Sequence, residues 1–205
     1  MNYSEISSLA LSYADRNDSE VTSRIDLFLK IVETRINREL KTKDMSARAE
    51  ITTVLDQEYY SLPADFAGLR DIEIKETSGA VLRCSMRFMS PEQIDGIAGR
   101  NLGGYYYTIV GNELQIMPTQ EAGKIIEITY YQKLTPLTST ATTNWLSDDN
   151  PDVYIFGLLV EISSFVKDPP TKAIWDERFR EALSIIQSDD DKVRWSGTPM
   201  QIRSE

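Results

Sequence analysis

The apolar residues of this chain change period twice, from helical spacing to strand alternation and back. Near the start, Ile6, Leu9, Ala10 and Tyr13 recur on one face of a helix predicted over 4–16. Asn17, Asp18 and Ser19 break it and offer a new N-cap. A second helix is predicted from about Glu20 to Leu40, with Ile25, Phe28, Leu29, Val32 and Ile36 on one stripe and Asp26, Lys30, Glu33 and Asn37 opposite. From about Arg48 to Tyr131, short β-branched and aromatic runs alternate with turn residues. Strands are predicted over 51–56, 69–75, 81–84, 105–110, 113–117 and 124–131. Gly111-Asn112 forms a two-residue hairpin turn, and Ser90-Pro91-Glu92-Gln93 opens a short helix that ends within 96–99. Helical spacing returns at Pro151, is cut at Asp168-Pro169-Pro170, and resumes with Trp175, Phe179, Ala182, Leu183, Ile186 and Val193 on one stripe. Gly197 and Pro199 end that helix and leave a short polar tail carrying Met200 and Ile202.

Helices at both ends of a β-rich segment imply an α+β chain whose terminal helices pack into one discontinuous bundle. The expected division is 1–45 and 144–195 for the bundle, 46–143 for the β-rich insertion, and 196–205 for the tail. No internal repeat interrupts this plan.

The helix from Pro151 departs most from an ordinary amphipathic pattern. Asn150 is placed to cap it, Pro151 sits where its missing N–H is harmless, and Asp148, Asp149 and Asp152 complement the positive end of its dipole. From Val153 to Val166 the only charge is Glu161, so no polar face exists. The segment spans about 25 Å, whereas a bilayer span wants roughly 20 unbroken apolar residues, so no membrane partner is expected. Two environments remain open: the centre of a core, or a position between a core and a neighbouring subunit. For the second, the candidate subunit contacts are Tyr154, Leu158, Glu161 and Phe165.

Composition narrows the chemistry. Histidine is absent from all 205 residues, which removes the commonest general base, nucleophile partner and metal ligand. Cys84 stands alone, so neither an internal disulfide nor a cysteine zinc site is available. Neither cofactor nor metal is expected, and the chain reads as a non-enzyme. The remaining enzymatic option, a paired-carboxylate glycosidase, needs two carboxyls about 5–10 Å apart in a cleft, and no such pair is evident. The N-terminal residues resemble no signal peptide, so synthesis in a cytoplasm is expected. A net charge of −10 argues against a surface that grips phosphates but is compatible with a passage through which DNA slides.

Several clusters have bland readings. Asp189, Asp190 and Asp191 read as a solvated helix face, or as a negative lining if that face meets a channel. Gly96, Gly99, Gly103 and Gly104 lack the Lys-Ser or Lys-Thr of a phosphate loop. Tyr105, Tyr106 and Tyr107 have no basic groove beside them for nucleic acid, and suit contact with another protein better. Trp145 reads first as a core aromatic and second as a subunit contact, whereas Arg194 with Trp195 suits a partner anchor.

Four ordered segments carry a family resemblance: Tyr60-Ser61-Leu62-Pro63-Ala64-Asp65-Phe66 before a strand, Asn112-Glu113-Leu114-Gln115-Ile116-Met117-Pro118 after a hairpin turn, Ile128-Thr129-Tyr130-Tyr131 followed by Leu134, Pro136 and Leu137, and Thr143-Asn144-Trp145-Leu146 with Pro151-Asp152. Trp175, Phe179 and Arg194-Trp195-Ser196-Gly197 extend the set. In this order they resemble the head-to-tail adaptor, or connector, proteins of tailed bacteriophages. The resemblance implies a virion protein at the head-tail junction, packed side by side in a homo-oligomeric ring of twelve copies beneath the portal. It further implies a tail that reaches the portal protein, with Arg194, Trp195, Pro199, Met200 and Ile202 as docking candidates. The insertion would face the tail or nozzle protein through Tyr105, Tyr106 and Tyr107, and DNA would pass without specific binding. The rival reading is a carbohydrate- or protein-binding β module on a helical stalk.

Overall fold

A computed structural model describes residues 1–75, 83–96 and 103–195. The first elements are α1 (Tyr3–Tyr13), α2 (Ser19–Thr22), α3 (Ile25–Glu39) and a 3-10 turn (Lys43–Met45). The middle contains β1 (Ser46–Thr52), β2 (Tyr59–Ser61), β3 (Phe66–Lys75), β4 (Arg83–Ser85), β5 (Arg87–Phe88), α4 (Pro91–Gly96), β6 (Tyr106–Val110), β7 (Glu113–Met117) and β8 (Ile125–Gln132). The last are α5 (Trp145–Asp149), α6 (Pro151–Phe165) and α7 (Pro169–Trp195). The fold is α+β, and it divides into two compact units: Met1–Met45 with Leu134–Glu205, and Ser46–Lys133.

In the helical unit, α1 opens with a capping box. Asn2 Oδ1 accepts from the Glu5 N–H, and the Glu5 carboxylate accepts from the Asn2 N–H, each at 2.9 Å. The single helix predicted over 20–40 is broken at Ser23-Arg24, where Arg24 leaves helical geometry at φ −110°. Just before the break the Thr22 hydroxyl bonds back to the Asp18 carbonyl at 3.2 Å. The stripe of Ile25, Phe28, Leu29, Val32 and Ile36 is buried, as its period requires, but Glu33 is buried with it.

α6 is the axis of this unit: α1, α3 and α7 all pack against it. That is why it carries no polar face. Gly157 is where its neighbours come closest, because a Cβ there would lie 2.5 Å from Val32 Cγ1 and 3.1 Å from Phe179 Cε2. The left-handed Lys167, at φ 62°, reverses the chain before Pro169 starts α7. Phe179, Ala182 and Leu183 face inward, whereas Val193, assigned to the same stripe, is 56% exposed.

The residue that caps a helix here is Asn144. Its side chain accepts from the Ser147 N–H at 2.9 Å, and the Ser147 hydroxyl accepts from the Asn144 N–H at 2.9 Å. Asn150 makes no side-chain cap bond, because α5 already occupies the residues before it, and Asp148 and Asp149 therefore lie inside α5. Residues 134–143, expected in the insertion, belong to the helical unit. Their backbone is held by α3 instead of a sheet: the Leu134 N–H donates to Asn37 Oδ1 at 2.8 Å, and the Leu137 N–H to Glu33 Oε1 at 2.7 Å.

The second unit contains two four-stranded sheets, ordered β1-β8-β3-β4 and β2-β7-β6-β5. Their inward residues, including Tyr60, Ile72, Ile74, Leu114, Ile116, Ile126 and Ile128, form one hydrophobic core. β6 and β7 are joined at Gly111-Asn112, with Gly111 at φ 65°, and β5 pairs parallel to β6. Two of the segments that carry the family resemblance meet here. Tyr130 donates to Asp65 Oδ1 at 3.1 Å, and its ring stacks on Phe66 at 5.7 Å. Strands β2 and β5, only three and two residues long, are too short for alternation to reveal them.

Candidate functional site

The interior of the helical unit settles which side chains remain for contact with anything else. Asn144 Nδ2 donates to the Tyr154 hydroxyl and to the Thr135 carbonyl, both at 2.8 Å. The Tyr154 hydroxyl also lies beside the Glu33 carboxylate, which accepts from the Leu137 N–H at 2.7 Å. Burial pushes the pKa of Glu33 above its ordinary value and that of Tyr154 well above 10. The network ties α3, the returning segment and α6 together at their buried faces.

Tyr154 and Leu158 are both 0% exposed within one copy. They are therefore not available to a neighbouring subunit, because the bundle already surrounds α6. Glu161 is partly buried, with its carboxyl pKa raised by desolvation. Phe165 is partly buried against Phe28, 5.7 Å between ring centres, beneath the Arg24 guanidinium at 5.0 Å.

The exposed apolar residues of this unit lie on the outer helices. On α3, Leu27 is 59% and Ile31 51% exposed; on α7, Ile174 and Ile185 are each 55% exposed. Leu27 and Ile31 fall on the nominally polar face of α3, where an i, i+4 apolar pair among charged residues is the available signal. Phe156, Trp175 and Tyr13 form an aromatic ladder, with centroids 5.8 and 6.2 Å apart, and the Arg178 guanidinium lies 5.1 Å from Trp175.

At the far end of α7, Trp145 lines a shallow groove with Asp149, Ile185, Ile186, Asp189 and Val193. Asp190 does not belong to a solvated face. It is buried and accepts from the Lys43 N–H at 2.9 Å, while Asp189 pairs with Lys192 at 2.8 Å. Arg194 and Trp195 are the last residues of α7. Pro199, Met200 and Ile202 lie outside the described residues.

In the β unit Tyr106 is buried in the core and so is not a docking residue. Tyr105 and Tyr107 are partly buried against that core, and burial beside Asp71 raises the pKa of Tyr107. Strand alternation explains the split, since Tyr106 points to the face opposite its neighbours. The exposed aromatics are instead Phe88, 64% exposed, and Tyr59, 44% exposed, on the two edge strands of the second sheet. No group of three or more potential metal ligands gathers among the described residues, and none of the described helices is long and apolar enough to cross a membrane.

A family model described as SU10 adaptor protein matches residues 1–203. The chain belongs to the SU10 adaptor protein family. The match runs through both compact units, so the helical bundle and the β insertion are parts of one family architecture. This agrees with the tailed-phage adaptor resemblance carried by the segments from Tyr60 to Trp195. No curated protein is significantly similar to this adaptor.

Proposed function

We propose that this adaptor is a non-enzymatic structural protein that assembles as a ring between portal and tail, twelve copies to a ring, with an axial passage for DNA. The family match along 1–203 is the observation that carries the reading. Support also comes from the helical unit, which completes its core within one copy and leaves apolar residues on its outer helices. The segment from Arg194 and Trp195 through Pro199, Met200 and Ile202 docks on the portal protein, and the β unit meets the tail or nozzle protein. Exposed Phe88 joins Tyr105 and Tyr107 as a contact candidate there. A net charge of −10 disfavours adhesion of passing DNA to the ring wall.

The test is native mass measurement and electron microscopy of the full chain with and without the cognate portal. A ring of adaptor on the portal is expected. A chain that stays monomeric in both conditions overturns the proposal. Deleting the residues after Gly197 is expected to weaken attachment to the portal with the helical circular dichroism unchanged; undiminished attachment removes the docking role of Met200 and Ile202.

A further inference from the structure

Two outward helix stripes in the helical unit match in spacing and oppose in charge. On α3, Leu27, Ile31, Thr34 and Arg38 fall at i, i+4, i+7 and i+11, all exposed, with exposed Lys30 beside them. On α7, Ile174, Arg178, Glu181 and Ile185 have the same spacing and are likewise exposed, with exposed Glu177 beside them. Each stripe is about 16 Å long at the rise of an α-helix. Each puts two large apolar side chains in solvent on the side away from the core.

The charges outside ion pairs leave the two stripes with opposite net sign. On α3, Arg35 is bound to Glu39 and Asp176, while Lys30 and Arg38 pair with no carboxylate among the described residues. On α7, Arg178 lies over Trp175 and keeps its charge, Arg180 pairs with Asp176 at 2.5 Å and Lys192 with Asp189. That leaves Glu177 and Glu181, which pair with no cation among the described residues. The α3 stripe is therefore apolar and cationic, and the α7 stripe apolar and net anionic, with Glu177 and Glu181 against Arg178.

We propose that the α3 stripe of one copy packs on the α7 stripe of the next. Neither stripe suits contact with its own kind, since that would set Lys30 and Arg38 against each other, or Glu177 and Glu181. A two-fold dimer through either face is thereby disfavoured. A contact between unlike faces made once in each direction is heterologous, and it builds a ring where its rotation closes. The proposal rests on the ring reading and replaces Tyr154 and Leu158 with Leu27, Ile31, Ile174 and Ile185 as the apolar contacts.

Charge reversal tests it without disturbing the core. One variant carries Lys30→Glu and Arg38→Glu; the other carries Glu177→Lys and Glu181→Lys. Full-length wild type, each variant and their equimolar mixture are measured by native mass, alone and with the portal, and circular dichroism establishes that each variant is folded. Wild type is expected to form rings, and each variant alone is expected to lose all species larger than the monomer. The mixture is expected to regain rings of alternating copies, because each variant's reversed stripe is complementary to a stripe of the other. A loss of fold cannot be repaired by mixing. Should a reversal variant fail to fold, Leu27→Ser and Ile185→Ser remove apolar contact alone, and both are expected to weaken assembly. Folded variants that assemble as wild type does, or a mixture that fails to restore rings, overturn the interface while portal attachment leaves the adaptor reading standing. Restored rings that do not bind portal do the reverse. Wild type that is monomeric in every condition overturns both.

Discussion

Gly157→Ala is expected to destabilise the helical unit, although the same exchange in an isolated helix is favourable. Alanine in a helix interior gains roughly 0.5–1 kcal/mol over glycine from backbone entropy. Here the new Cβ would stand 2.5 Å from Val32 Cγ1 and 3.1 Å from both Val32 Cγ2 and Phe179 Cε2. Val32 cannot easily turn away, because a β-branched side chain in a helix is held to one χ1 rotamer, and it is only 2% exposed. Overpacking of this kind costs roughly 1–3 kcal/mol, so the net loss lies between about 0 and 2.5 kcal/mol, near 1 at mid-range. Val32→Ala alone removes two buried methyl groups and costs about 1.5 kcal/mol. In the double variant the methyl introduced at position 157 enters the space that Val32 vacated. The two substitutions are therefore expected to be less damaging together than their sum, with a coupling within the roughly 0.5–3 kcal/mol found for residues in contact. Urea unfolding followed by helical circular dichroism measures all four corners of the cycle. A Gly157→Ala protein more stable than wild type by about 1 kcal/mol, with strictly additive effects, would refute the close fit of α6 between α3 and α7.

Tyr154→Phe keeps the ring but removes the hydroxyl that receives Asn144 and meets Glu33. The unsatisfied partners are expected to lower stability by about 1–3 kcal/mol in the same unfolding assay, and no change would show the network to be dispensable. Glu33 has a folded pKa above its ordinary 4.5, so the folded state holds its proton more tightly than the unfolded state. Its contribution is most favourable below 4.5 and declines as pH rises through the folded pKa. Glu33→Gln retains an acceptor for the Leu137 N–H without the ionisation. Wild type is therefore expected to gain stability relative to this variant as pH falls from 7 towards 4.5, and a difference that is flat across that range would rule out the burial effect.

The readable parts of the fold were those carried by local period. The α3 stripe from Ile25 to Ile36, the Gly111-Asn112 turn with β7 after it, and the restart at Pro169 all follow from spacing and turn chemistry. What escaped depended on distant partners. Glu33 lies on the flank of its stripe and was assigned to water, because the Leu137 N–H it accepts comes from a segment 104 residues away. Asp190 was misplaced for the same reason, since its partner is the Lys43 backbone. Asn150 has the chemistry of a cap, but the capping box of Asn144 with Ser147 had already started a helix upstream. Tyr106 shows the opposite limit: alternation separated it from Tyr105 and Tyr107, yet could not say which of the two faces was the core.

The apolar helix α6 bears directly on how copies of the adaptor could join. Had its excess apolar surface faced a neighbour, Tyr154 and Leu158 would lie uncovered in one copy and assembly would complete an unfinished core. Both are instead 0% exposed, enclosed by α1, α3 and α7. The apolar surface left for association is thus the smaller set on α3 and α7, where Leu27, Ile31, Ile174 and Ile185 stand among charged residues. Such a surface tolerates water, so a copy can fold before it meets another. Contact through it then draws on charge complementarity for its direction, since a stripe with two apolar side chains buries too little area to select a partner by hydrophobicity. On the proposed contact the direction of assembly lies in Lys30, Arg38, Glu177 and Glu181, and assembly is expected to weaken with salt where a core-packed interface would not.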